Sequence, residues 1–187
     1  PEGSVLTYYL STVASDNFEV LLSGIERKLR PDEIFYPDYD RVDGISFTAS
    51  EAYKLLRTKL QFSFADENDC HVIGLSSALS GEGKSLSAVN LAFTLSQLNK
   101  KVLLVDCDMR RPTLAEKLGI LKYPGLSSYL TRQCAFEELL QPCKFDGSEN
   151  AFHVITAGQN PPNPIELLSS ARMEKLLVGL LDICDYV

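Results

Sequence analysis

The chain has 187 residues, 45% of them hydrophobic, and a formal net charge of −7, which leaves room for one sizeable core. No apolar run reaches the ~20 residues that a membrane-spanning helix needs, and no signal-peptide pattern opens the chain. No basic patch occurs either, so the electrostatic footprint of nucleic-acid binding is missing. Five cysteines, Cys70, Cys107, Cys134, Cys143 and Cys184, lack metal-ligand spacing, and their odd number argues against a full disulfide framework. With only His71 and His153 besides, a zinc site is not expected, and the cysteine usage points to a reducing, cytoplasmic compartment.

Residues 1–47 carry nine acidic against four basic side chains, a local concentration of the negative charge. Phe18, Leu21, Leu22, Ile25 and Leu29 recur at helical spacing, Asp16 with Glu19 resembles a capping box, and Pro31 ends the run. Residues 31–47, with Pro31, Pro37 and Gly44 among acids, read as a linker. Tyr36 and Tyr39 lie in it, as solvated linker residues or as phosphoacceptors. The expected division is therefore an N-terminal helix and acidic linker over 1–47 and a globular domain over 48–187.

The next helix is expected from Thr48 and Glu51, another capping box, with Tyr53, Leu56 and Leu60 along one face and a turn at Asp66-Glu67-Asn68-Asp69. Then comes the most telling stretch, Val72-Ile73-Gly74-Leu75-Ser76-Ser77-Ala78-Leu79-Ser80-Gly81-Glu82-Gly83-Lys84-Ser85. It reads as a strand, a small-residue loop and the start of a helix over 84–99, amphipathic from Leu86 to Leu98. Such a loop holds polyphosphate: glycines let the backbone approach, successive N–H groups point inward, and the helix presents its positive dipole end. Ser80, Gly81, Glu82, Gly83, Lys84, Ser85 and Leu86 are the expected nucleotide-binding residues, with Lys84 on the β/γ-phosphates and Ser85 on Mg²⁺. The strict pattern asks for Gly where this chain has Ala78.

A second motif supports the first. Val102-Leu103-Leu104-Val105 is an apolar run suited to a strand buried on both faces, and Asp106-Cys107-Asp108-Met109-Arg110-Arg111-Pro112 follows it. Acids at the C-terminal end of such a strand lie where α/β sheets place their ligands. Asp106 and Asp108 are therefore candidate Mg²⁺ ligands beside Ser85, and Arg110 a candidate phosphate contact. The plain alternative for Asp106 is a helix N-cap ahead of Pro112-Thr113. Cys107, beside this loop, reads as an ordinary buried cysteine. Further on, a short helix is expected between Pro112 and Gly119, helical turns over 126–130 and 136–140, and a strand over 152–156. A loop over 158–164 and a helix from Ile165 to Ile183 lead to a final strand beginning at Tyr186. The fold class is α/β, with a mostly parallel sheet flanked by helices.

Gly81-Glu82-Gly83-Lys84-Ser85 followed by an apolar-Asp106-x-Asp108-x-Arg110 pattern resembles the bacterial tyrosine kinases, the P-loop autokinases of capsule and exopolysaccharide export. Glu51-Ala52-Tyr53-Lys54-Leu55-Leu56-Arg57-Thr58, Lys122-Tyr123-Pro124-Gly125-Leu126-Ser127-Ser128-Tyr129-Leu130 and Gly158-Gln159-Asn160-Pro161-Pro162-Asn163-Pro164-Ile165-Glu166-Leu167-Leu168 agree with it, so the resemblance covers about 46–187. The related septum-site and partition ATPases carry an extra lysine where this chain has Leu79.

The resemblance implies a P-loop NTPase fold and an ATP- and Mg²⁺-dependent protein-tyrosine autokinase, with Lys84, Asp106, Asp108 and Arg110 catalytic. It implies Asp106 as acceptor of the tyrosine proton, with an exchange of roles between Asp106 and Asp108 left open. It also implies a membrane-anchored polysaccharide co-polymerase or activator, fused or separate, at the inner face of the membrane, and tyrosine-bearing protein substrates. A homo-oligomeric ring through Glu51, Lys54 and Arg57 belongs to the same expectation, with Lys54 standing where the family carries Arg. In that family the strand beginning at Tyr186 ends in a third acid, the Walker B element, and a tyrosine-rich tail follows. The chain, from Pro1 to Val187, accordingly reads as a piece of a longer coding sequence. A switch ATPase and a nucleotide-binding regulatory module of a polysaccharide exporter are the competing readings.

Overall fold

A computed structural model describes residues 47–64, 69–77, 81–144 and 151–187. The expected helix at 16–30, the acidic linker with Tyr36 and Tyr39, the turn at 66–68 and Ser80 lie outside the described residues. Helix α1 (Phe47–Ser63) begins one residue before Thr48, which places Thr48 inside the helix rather than at its cap. Tyr53, Arg57, Leu60 and Phe64, at spacings of four, three and four, are among the partly buried positions. Leu56, expected on that face, is 41% exposed, and Leu55 and Phe62 are exposed as well. The helix is turned so that Arg57 faces the body of the protein in its place.

Helix α2 (Lys84–Ser96) buries every residue from Val89 to Ser96 and ends three residues short of the sequence expectation. Strand β1 (Leu103–Val105) follows, then α3 (Leu114–Leu118), closed by Gly119 in the left-handed conformation that a helix C-terminus favours. Next come α4 (Leu126–Leu130) and a single 3₁₀ turn, Phe136–Glu138. Strand β2 (Gln141–Lys144) is one that the sequence did not announce, because Pro142 breaks any strand signature. Proline is tolerated there because β2 is an edge strand. Strand β3 (Ala151–Ile155), α5 (Pro164–Leu168) and α6 (Ala171–Leu181) complete the order. The single helix expected over 165–183 is thus two: the Ser170 side chain caps α6 by accepting from the Met173 amide and itself donates to the Leu167 carbonyl at 2.7 Å.

The sheet runs β1-β3-β2, with β1 parallel to β3 and β2 antiparallel to it, Leu103 opposite His153 and Cys143 opposite Phe152. Beyond β1 the backbone continues in parallel: Tyr186 bridges both Val102 and His71. The Leu103 amide donates to the Tyr186 carbonyl at 2.9 Å, and the Ile73 amide to the Val187 carbonyl at 2.8 Å. Residues 185–187 therefore lie between the segment leading into the P-loop and β1, so neither neighbour is left unpaired there. The segment 71–73 is held by these bonds but does not extend into the longer strand expected from Val72.

Side chains alternate across this sheet as its two-residue period demands. Val102, Leu104, Phe152 and Val154 pack with Val89, Phe93 and Leu118 on one face; Leu103, Val105 and Ile155 pack with Leu126, Met173, Leu176 and Leu180 on the other. Three layers result, with α1 and α2 outside one face and α6 outside the other. The C-terminal ends of β1 and β3 open onto the same edge as the start of α2. Among the described residues no helix is long and apolar enough to cross a membrane.

Candidate nucleotide and metal site

Gly81 and Gly83 adopt φ of +87° and +86°, a conformation that side chains resist, and a Cβ at either would meet nothing within 4 Å. The backbone is thus bent open toward empty space. Gly83 is the N-cap of α2 and has no side chain to cap it, so the first turn of that helix presents its amides at the mouth of the loop, where an anion would be favoured. Lys84, the first helical residue, donates from Nζ to Ser77 Oγ at 2.9 Å across the mouth of the loop. Ser85 Oγ lies 3.2 Å from Thr113 Oγ1. Glu82 and Leu86 are exposed on the rim.

Asp106 immediately follows β1, its amide extending the ladder to the Ile155 carbonyl at 2.9 Å. Its Oδ1 accepts from the Asp108 amide at 3.0 Å, while its Oδ2 is buried and makes no hydrogen bond among the described residues. Burial raises the Asp106 pKa above the ordinary carboxylate value, the Asp108 and Leu114 amides pull it part of the way back, and the Asp108 charge adds to the rise. Asp108 itself is exposed, its Oδ1 accepting from the Arg111 amide at 3.0 Å. Met109, 2% exposed, anchors this turn in the core. Arg110 is exposed, and its carbonyl accepts from Asn160 Nδ2 at 3.2 Å, tying the loop after β1 to the loop after β3.

Cys107, expected to be buried, is exposed as a residue. Enough protein still surrounds its sulphur that desolvation, followed by the Asp106 charge, pushes the thiol up to about 11, which leaves little thiolate at neutral pH.

The residues present fit a hydrated divalent cation. A buried carboxylate oxygen without a partner, one hydroxyl and a second carboxylate at the rim suit Mg²⁺, which takes one or two carboxylates and keeps waters and phosphate oxygens for the rest. That use is compatible with the finding that no cluster of three or more His, Cys, Asp or Glu of metal-holding arrangement occurs among the described residues.

Glu51, Lys54 and Arg57 have different partners within the chain. Lys54 Nζ pairs with Glu51 at 2.7 Å on the surface, whereas Arg57 Nη1 donates to the Thr94 carbonyl of α2 at 2.8 Å. Sequence reasoning missed Thr113 and Asn160 as parts of this edge. Both contacts are made across folds of the chain, Ser85 to Thr113 and Arg110 to Asn160, and no local spacing signals them.

Residues 73–179 match the CobQ/CobB/MinD/ParA nucleotide binding domain family. The tyrosine-protein kinase YwqD of Bacillus subtilis is 40% identical over 127 residues, which cover 68% of this chain and 52% of that protein. The kinase domain of Escherichia coli tyrosine kinase ETK superposes with a TM-score of 0.67 at 36% identity, covering 74% of this chain and 52% of that one. The VpsO kinase domain superposes with a TM-score of 0.57 at 31% identity, covering 75% and 72% respectively. This chain spans about half the length of YwqD. The open P-loop, the two aspartates after β1 and these likenesses agree: the chain belongs to the bacterial tyrosine-kinase family, built on a CobQ/CobB/MinD/ParA nucleotide-binding domain.

Proposed function

We propose that this chain is the ATP-binding core of a protein-tyrosine autokinase that regulates capsular or exopolysaccharide synthesis and export. The reading is supported by the P-loop that opens α2, with its Lys84 ammonium and Ser85 hydroxyl, together with the buried Oδ2 of Asp106 at the end of β1, which has no partner among the described residues. Phosphoryl transfer asks mainly for positioning and charge neutralisation, and these groups supply both.

Lys84 would leave Ser77 for the β/γ-phosphates, and the amides at the start of α2, with Gly81 and Gly83, would cradle the chain of phosphates. Ser85, Asp106 and Asp108 would hold Mg²⁺, whose chemistry is to offset the charge that develops on the transferred group. Arg110, free to reach outward from the rim, would meet phosphate oxygen. In the transfer, the tyrosine oxygen bonds to the γ-phosphorus as the bond from that phosphorus to the β,γ-bridging oxygen breaks, and ADP departs. The hydroxyl proton passes to Asp106 at the end of β1, or to Asp108 if the two exchange roles, the other carboxylate then holding the cation. In the same reading the protein works at the inner face of the cell membrane beside a membrane-anchored co-polymerase or activator, fused or separate. It assembles as a ring of copies with Glu51, Lys54 and Arg57 at the contact and acts on protein tyrosines.

Phosphotyrosine formation tests this. Incubated with Mg-ATP and a tyrosine-bearing acceptor peptide, the chain should label tyrosine, and Lys84→Met should abolish both labelling and nucleotide binding. Release of free phosphate alone would make it a switch ATPase. Full ATP affinity in Lys84→Met would remove the P-loop assignment.

A further inference from the structure

We propose that the Thr113 hydroxyl is the group that fixes the Ser85 hydroxyl for a divalent cation, making Thr113 a positioning residue of the metal site. The inference rests on the nucleotide-binding reading above. Three observations lead to it.

The first is what Thr113 does not do. It stands at the N-cap of α3, where a threonine ordinarily accepts a hydrogen bond from an amide of the first turn, yet it makes no such bond. Its hydroxyl lies instead 3.2 Å from Ser85 Oγ, on the P-loop helix, 28 residues away in sequence. A capping bond is forgone and a cross-chain bond to a P-loop residue is made.

The second is the donor arithmetic of a hydroxyl. Ser85 Oγ has one proton to donate and two lone pairs to offer. If a lone pair is to face a cation, the proton must point away from it, and a positive charge on the oxygen makes that proton a stronger donor. Thr113 Oγ1 is the partner within reach, so the Ser85 proton is held aside and a lone pair is left for the metal. A ligand whose other valence is fixed in this way is oriented before the cation arrives.

The third is the backbone step Thr113-Leu114 at the start of α3, which holds the hydroxyl in place. Leu114 is 4% exposed and packed in the core beneath α2, so this step is held rigidly.

The test uses the full chain and a fluorescent ATP analogue, titrated with Mg²⁺ after a reference titration in EDTA. Thr113→Val keeps the shape and removes the hydroxyl; Thr113→Ser keeps the hydroxyl. Thr113→Val should raise the half-saturating Mg²⁺ concentration about 10-fold or more, the usual effect of losing a group that orients a metal ligand. Analogue affinity in EDTA should stay as in wild type, and Thr113→Ser should restore the wild-type Mg²⁺ dependence. Thr113→Ala provides a second loss of the hydroxyl, read in the same way, if the valine variant melts below assay temperature. Unchanged Mg²⁺ dependence in Thr113→Val, or a Thr113→Ser variant as impaired as the valine, overturns the proposal while the nucleotide reading stands. A wild-type chain that binds no analogue overturns both. A loss confined to EDTA affinity would assign Thr113 to loop structure and overturn the metal-positioning role.

Discussion

Arg57 on α1 donates from Nη1 to the backbone carbonyl of Thr94, 2.8 Å away, in the last turn of α2. The other carbonyls of that turn are already taken: Phe93 by the Gln97 amide, Leu95 by the Leu98 amide and Ser96 by the Asn99 amide. Arg57 therefore completes the C-terminal cap of the P-loop helix and places a cation at its negative end. Arg57→Ala should cost about 1.5–3 kcal/mol of stability, the range for a hydrogen bond to a charged donor. Urea unfolding of monomeric protein measures this. A change in oligomer mass with unaltered stability would instead assign Arg57 to contacts between copies.

Asp106 carries its charge at the expense of the fold. Its folded-state pKa is raised, so its ionisation favours the unfolded chain. The associated stability is fully present below the unfolded value of 3.8 and is lost as pH rises through the folded value. Asp106→Asn should therefore be more stable than wild type at pH 7, by about 1 kcal/mol, while losing phosphotransfer, the trade expected of a functional residue. Melting curves across pH check the sign: the advantage should shrink as the medium is acidified.

His153 titrates in the opposite sense. It lies on β3 between Leu103 and Pro142, and burial pushes its pKa down to about 4. The unfolded chain binds its proton first, so stability should fall as pH drops from the unperturbed 6.5 toward 4, by an amount on the order of 2 kcal/mol. His153→Gln should flatten that part of the pH profile. A wild-type profile without any decline across it would contradict the assignment.

Gly125 and Gly158 bring two loops into backbone contact. A Cβ on Gly125 would stand 2.4 Å from the Gly158 nitrogen and 2.7 Å from the Thr156 carbonyl oxygen, both backbone atoms that cannot step aside. Gly125 has extended φ and ψ that any residue adopts, so the requirement is space alone. Gly125→Ala should destabilise by about 3 kcal/mol. It should also weaken nucleotide binding, because Asn160 ties this loop to Arg110. Circular-dichroism melts and analogue binding measure the two effects, and wild-type values in both would refute the close approach.

Read from the amino-acid order alone, the site's inner parts were legible because their chemistry is local. A glycine-lysine-serine turn after an apolar run, and acids closing a second apolar run, each dictate a backbone conformation within a few residues. The same holds for the Gly119 helix stop and for the alternation that sorts Val102, Leu103, Leu104 and Val105 between the two faces of the sheet. What only the tertiary structure decided depends on residues far apart in the chain. The turn of α1 that faces Arg57 rather than Leu56 inward was set by the uncapped Thr94 carbonyl across the interface. Edge strand β2 exists because β3 offers it a ladder, not because Gln141-Pro142-Cys143-Lys144 has strand character. The placing of Tyr186 between His71 and Val102, and of Thr113 against Ser85, follows from packing α2 onto the assembled sheet. Spacing along a sequence encodes periodicity and turns; the partner of a hydroxyl or a carbonyl is settled only when distant segments compete for it in a desolvated interior.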